Sequence, residues 1–170
     1  MFYEIAVTHT TSRLKALDLF LKAMKKQAHK KGMTDAEVLA LKLAPDMLDF
    51  AKQIQIATDN AKACIMRLTQ KEAMTLEDNE TTIDELLTRV EKTINYVNSA
   101  TPDDFIGAQE RNIEMDYFKD MHFTSAGYMM GFYLPNLYFH TTTAYNICRN
   151  HGFEIGKKEY IGELPLIPNK

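Results

Sequence analysis

Residues 133–152 read YLPNLYFHTTTAYNICRNHG and keep a helical period straight through a proline. Projected at about 100° per residue, Met129, Tyr133, Asn136, Leu137, His140, Thr143, Ala144, Ile147 and His151 share one face. Thr124 or Ser125 offers an N-terminal cap and Gly152 a C-terminal stop, which predicts a helix over about 125–150. Pro135 lies inside it. An interior proline removes one backbone bond and crowds the preceding turn at a cost of about 3 kcal/mol, so a kink is expected there.

Three further amphipathic segments precede this helix. Tyr3, Ala6, Val7, Leu14, Leu17, Phe20, Leu21, Met24 and Ala28 form the first stripe, ended by Gly32. Thr34 to Glu37, TDAE, is a capping box for a short helix. Pro45 and Asp46 then suit the first turn of a second long helix, along which Met47, Phe50, Ala51, Ile54, Ala57, Ala61, Ile65 and Leu68 recur at helical spacing. A second capping box, Thr82 to Glu85, opens the third, lined by Ile83, Leu86, Leu87, Val90, Ile94 and Val97.

TPDDFIG at 101–107 reads as one short helical turn, and RNIEM with MHFT as a small hairpin about Tyr117 to Lys119. The expected fold is all-α: a four-helix bundle with short extra helices and a minor β-hairpin. No repeat, low-complexity tract or long linker divides the chain, so residues 1–170 are expected to form a single domain.

Bulk chemistry excludes several functions. A net charge of -3 and a pI near 6.0 provide no basic footprint for nucleic acid. No apolar run reaches the roughly 18 residues of a membrane span, and the first residues lack the order of a signal peptide, so a cytoplasmic protein is expected. Cys64 and Cys148, on separate predicted helices, read as apolar core residues in a reducing compartment. No phosphate loop, GxSxG elbow, HExxH or paired CxxC occurs, and no catalytic residue is assigned.

The candidate site is a polar cluster on the inner face of the last helix. His140 points to the core with Tyr133, Asn136 and Thr143 close by, and buried polar groups must find partners or face a ligand. From the second helix, Gln53 and Gln55 flank the apolar stripe and Asp46 sits at its start. The ligand-binding set is therefore His140, Asn136, Tyr133, Gln53, Gln55 and Asp46, for an unknown small molecule. His140 is the one candidate metal ligand. Asparagine at the neighbouring position is a poor donor for zinc or nickel, so no cofactor is expected, with a divalent metal as the alternative. Arg13 and Thr10 fall on the first stripe, where Arg13 either forms an internal ion pair or bends out to solvent.

Three stretches carry a family resemblance: LAPDMLDFAKQIQIATDNAK at 43–62, EDNETTIDELLTRVEKTI at 77–94 and LPNLYFHTTTAYNICRNHGFEIGK at 134–157. Together they resemble a branch of the DinB/YfiT-like superfamily known only as a domain of unknown function. The resemblance implies a four-helix bundle, often a homodimer. It also implies a divalent-metal site made by one histidine of the second helix and an HxxxH pair on the last, with thiol-dependent transferases among its members. His140 matches the second histidine of that pair, Asn136 stands at the first, and the second helix has no histidine between Gln53 and Asp59. The expected protein is a bundle with a degenerate metal-site pocket, non-catalytic or small-molecule binding. A divergent metal-dependent, thiol-transferase-like enzyme is the alternative.

The other side of the last helix is apolar as well. Leu134, Tyr138, Phe139 and Tyr145 require cover, which a homodimer provides; the competing cover is the tail folding back through Phe153, Ile155, Tyr160, Ile161 and Leu164.

Overall fold

The structure, a computed structural model, describes residues 1–169. The chain enters through a π-helical stretch, Glu4–His9, that continues into α1, Thr10–Lys30. The TDAE box closes as expected: Thr34 accepts from the Glu37 amide while the Glu37 carboxylate accepts from Thr34, starting α2, Asp35–Leu39. Helix α4, Ile83–Asn98, begins on the equivalent box at Thr82 and Glu85. A 3-10 turn at Pro102–Phe105 and the strand pair β1, Asn112–Glu114, and β2, His122–Thr124, also follow the sequence reading. The strands are antiparallel with Ile113 opposite Phe123.

Two boundaries differ from expectation. The second long helix, α3, is Phe50–Leu68, with Asp49 as its cap accepting from the Lys52 amide at 2.9 Å. Pro45 and Asp46 lie in a turn before it, closed by the Phe50 amide bonding the Leu41 carbonyl at 2.8 Å. A carboxylate free to cap outweighs a proline that merely tolerates a first turn. In the last helical rod, α5, Ser125–Tyr128, passes through a π-helical turn, Met129–Tyr133, into α6, Leu134–Asn150. Pro135 thus stands in the first turn of α6, where its missing N–H falls at the change of bonding pattern rather than in an unbroken ladder.

Around the bundle α1 packs on α4, α4 on α3, and α3 on α6, while α1 and α6 meet only sparsely. Leu14, Leu21, Phe50, Ile54, Ile65, Leu86, Val90, Leu137 and Ile147 belong to one continuous buried cluster. After Gly152, Phe153 and Ile155 are buried and a short helix α7, Lys157–Ile161, lies against α1. The Tyr160 ring sits 5.6 Å from that of Tyr145, so the tail covers part of the outer face of α6. Tyr138 and Phe139 stay 36% and 55% exposed. Among the described residues no helix is long and apolar enough to cross a membrane.

The connection 69–82 has no regular structure, and Arg89 of α4 holds it. The Arg89 side chain is 1% exposed and faces Asp59 at 2.6 Å, Glu80 at 2.8 Å and Asp78 at 3.0 Å. It also donates to Thr58 Oγ1 at 2.7 Å and to the Glu77 carbonyl at 3.1 Å. A guanidinium taken out of water this far is tolerated only with such a complement of partners.

Candidate functional site

His140 is buried, and its Nδ1 lies 2.8 Å from Oε1 of Gln53. Gln53 donates its own amide to the Leu48 carbonyl at 3.1 Å, which turns the carboxamide oxygen toward the ring. An oxygen there can only accept, so Nδ1 carries the proton and the lone pair of the neutral imidazole is at Nε2. Nε2 has no hydrogen bond among the described residues and is not enclosed, so it touches solvent. Burial pushes the His140 imidazole below its ordinary pKa, which favours the neutral form.

Asn136 lies one turn before His140 and donates from Nδ2 to the Phe132 carbonyl at 2.9 Å. Its Oδ1 carries no hydrogen bond among the described residues. The edge of the Phe139 ring stands against the imidazole, with centroids 5.2 Å apart at 90°.

The other three candidates do not join this pair. Tyr133 is fully buried and its hydroxyl lies 2.5 Å from Thr10 Oγ1, toward α1. Gln55 donates to Glu80 at 2.8 Å and belongs to the Arg89 cluster. Two residues along a helix are about 200° apart, so Gln53 and Gln55 cannot serve one site. Asp46 is exposed in the turn before α3, with no hydrogen bond to His140.

One imidazole and two neutral carboxamides make a poor donor set for a transition metal. Among the described residues no three His, Cys, Asp or Glu side chains come together in a way that could hold a metal ion. The residues present therefore do not fit the three-histidine centre that the resemblance implies. Cys64 and Cys148 are buried and unpaired, and burial pushes both thiols up, away from the reactive thiolate.

Arg89 escaped the sequence reading, and Arg13 took neither of the two roles expected of it. Arg89 lies four residues before Thr93 and three after Leu86, on the inner face of α4; that spacing was the available signal. Arg13 forms neither an ion pair nor a solvated flank: its guanidinium bonds the backbone carbonyls of Tyr160 and Ile161. Only the fold of the tail places those carbonyls there.

Comparison with known proteins agrees with this fold. Residues 2–161 match the family model DUF1993, described as a domain of unknown function. A crystal structure of a DinB family member from Shewanella denitrificans is similar with a TM-score of 0.94 and 33% identity, covering 99% of this chain and 96% of that one. No curated protein matches.

Proposed function

The chain belongs to the DUF1993 family, with the fold of DinB family proteins, and on that premise we propose that it is a small-molecule-binding bundle rather than a metal-dependent enzyme. The Gln53–His140 hydrogen bond carries this reading. In a histidine metal site the outer partner serves to aim the other nitrogen at the ion. Here that aim is kept while the companion donors are reduced to Asn136 and Gln53. What is left is one hydrogen-bond acceptor, Nε2, and one carboxamide oxygen a helical turn away, beside an aromatic edge. Such a group suits an uncharged ligand that donates hydrogen bonds and carries an apolar part to lie along α3 and α6.

The protein acts as a homodimer in this proposal. Phe139, 55% exposed, stands against His140 on α6, so a two-fold contact through it covers the opening at Nε2. The compartment proposed is the cytoplasm, in keeping with two unpaired cysteines.

Metal analysis of untagged protein, dialysed against zinc, nickel and manganese in turn, tests the reading. Substoichiometric metal, unchanged in His140→Ala, is expected. One equivalent of any of the three, lost in His140→Ala, overturns it and favours the metal-dependent transferase alternative.

A further inference from the structure

The seam between α1 and α6 is the loosest part of the bundle, and α7 lies over it as a strap. Beneath the strap is a cleft of about 10 Å³, room for about one water, lined by Arg13, Ala16, Leu17, Phe20, Thr141 and Tyr160. Arg13, like Arg111, has a buried Nε without a partner and no carboxylate, but Arg13 alone of the two lines this cleft. Among the described residues Arg13 makes no salt bridge, and its terminal nitrogens meet only the carbonyls of Tyr160 and Ile161. A partly buried guanidinium without a carboxylate is an unmet demand for an anion. The contrast within one chain is direct, since Arg89 is given three carboxylates.

We infer that the Arg13 cleft is a binding site for a small monocarboxylate with an apolar tail, and that α7 is the lid which occupies it when no ligand is present. The carboxylate takes the guanidinium in place of the two carbonyls, because a charge-assisted pair outcompetes neutral acceptors. The tail lies on Ala16, Leu17 and Phe20. The strap can yield: α7 has only five residues, none buried, and a helix so short has no stability of its own. Besides the Arg13 bonds to the Tyr160 and Ile161 carbonyls, its fastenings are Tyr160 OH on Thr142 Oγ1 at 2.8 Å and Gly162 against Ala16. Gly162 has φ +72, and a Cβ there would meet the Ala16 Cβ at 2.8 Å. Any other residue at 162 thus lifts the strap without touching Arg13.

Calorimetric titration of the full chain with hexanoate, and with hexan-1-ol as its uncharged counterpart, tests the site. Hexanoate is expected to saturate the wild type while hexan-1-ol does not. Gly162→Ala should bind hexanoate about threefold more tightly by removing the competing strap. Arg13→Gln should bind it at least about tenfold more weakly through loss of the charge-assisted pair. Hydrogen exchange gives a readout that a merely structural Arg13 would not move: hexanoate should speed exchange at the Gly162 amide, which bonds the Lys158 carbonyl in the closed strap. Equal affinity in Arg13→Gln, or slower exchange across 157–162 on adding hexanoate, overturns the assignment.

Discussion

Thr10 and Tyr133 join the two π-helical stretches of the bundle through one buried hydroxyl pair. Thr10 Oγ1 donates its single proton to the Ile5 carbonyl at 3.0 Å, so the Tyr133 hydroxyl must donate to Thr10. Burial holds the Tyr133 phenol well above its ordinary pKa, which keeps that proton in place. The two partners are therefore unequal. Tyr133→Phe leaves Thr10 with its bond to Ile5 and should cost about 1 kcal/mol, whereas Thr10→Val strands a buried donor and should cost about 1–3 kcal/mol. Urea unfolding of the two variants ranks them; the reverse order would show that the phenol finds another acceptor.

Arg89 makes a sharper case. Arg89→Ala leaves Glu80, whose side chain is 8% exposed, buried beside no cation and should destabilise by about 3–5 kcal/mol. Acid acts on the same cluster. Burial pushes the Asp78 carboxyl up, but the Lys52 hydrogen bond and the Arg89 charge outweigh it and hold the group below its ordinary pKa. A carboxylate so depressed stabilises above its unfolded pKa of about 3.9, and the benefit is lost as pH falls through the folded value. Wild-type stability should thus drop below about pH 4, and Lys52→Met should flatten that drop in denaturant titrations.

Burial sets the direction in which His140 titrates. With the folded pKa lowered by burial, the contribution of this histidine is full above its unfolded value of about 6.5 and declines as pH falls below it. The His140 ring proton signal should titrate with a midpoint below about 6.5. Gln53→Glu places an anion 2.8 Å from Nδ1 and should move the midpoint above that value. An unmoved midpoint would mean that the pair does not persist in solution.

Association through the α6 surface is open to a direct test. Light scattering at micromolar concentration should return twice the 19.5 kDa chain mass. Phe139→Ser, at a 55% exposed position, should return the monomer mass with unchanged unfolding of each chain. A wild-type mass of 19.5 kDa leaves the tail as the cover of this helix.

What could be read from the sequence was local. The boxes at Thr34 and Thr82 close within four residues, and the hairpin of Ile113 and Phe123 needs only alternation and a turn. The inward direction of His140 follows from one helical projection, and Gln53 was on the correct edge to meet it. Partners drawn from distant segments were not legible. Arg89 gathers Asp59, Asp78 and Glu80 from two segments, and a stripe analysis assigns arginine to solvent by default. Tyr133 lies seven residues, about two helical turns, before His140, and its hydroxyl meets Thr10 of α1 instead. Asp46 was misplaced because Asp49, three residues later, competes for the same cap.

Loop 69–82 is a long stretch of chain with its middle tied to one cluster centred on Arg89, to which Lys52 and Gln55 add a bond each at Asp78 and Glu80. Its Glu77 carbonyl, Asp78 and Glu80 all converge on Arg89, and Tyr96 OH adds one bond to the Glu72 carbonyl at 2.7 Å. Segments held by one shared cluster do not fray residue by residue; they open together. Protease nicking at Lys71 therefore reports one equilibrium, closed loop against released loop, and neutralising the cluster exposes the whole segment at once while the helices on either side stay intact.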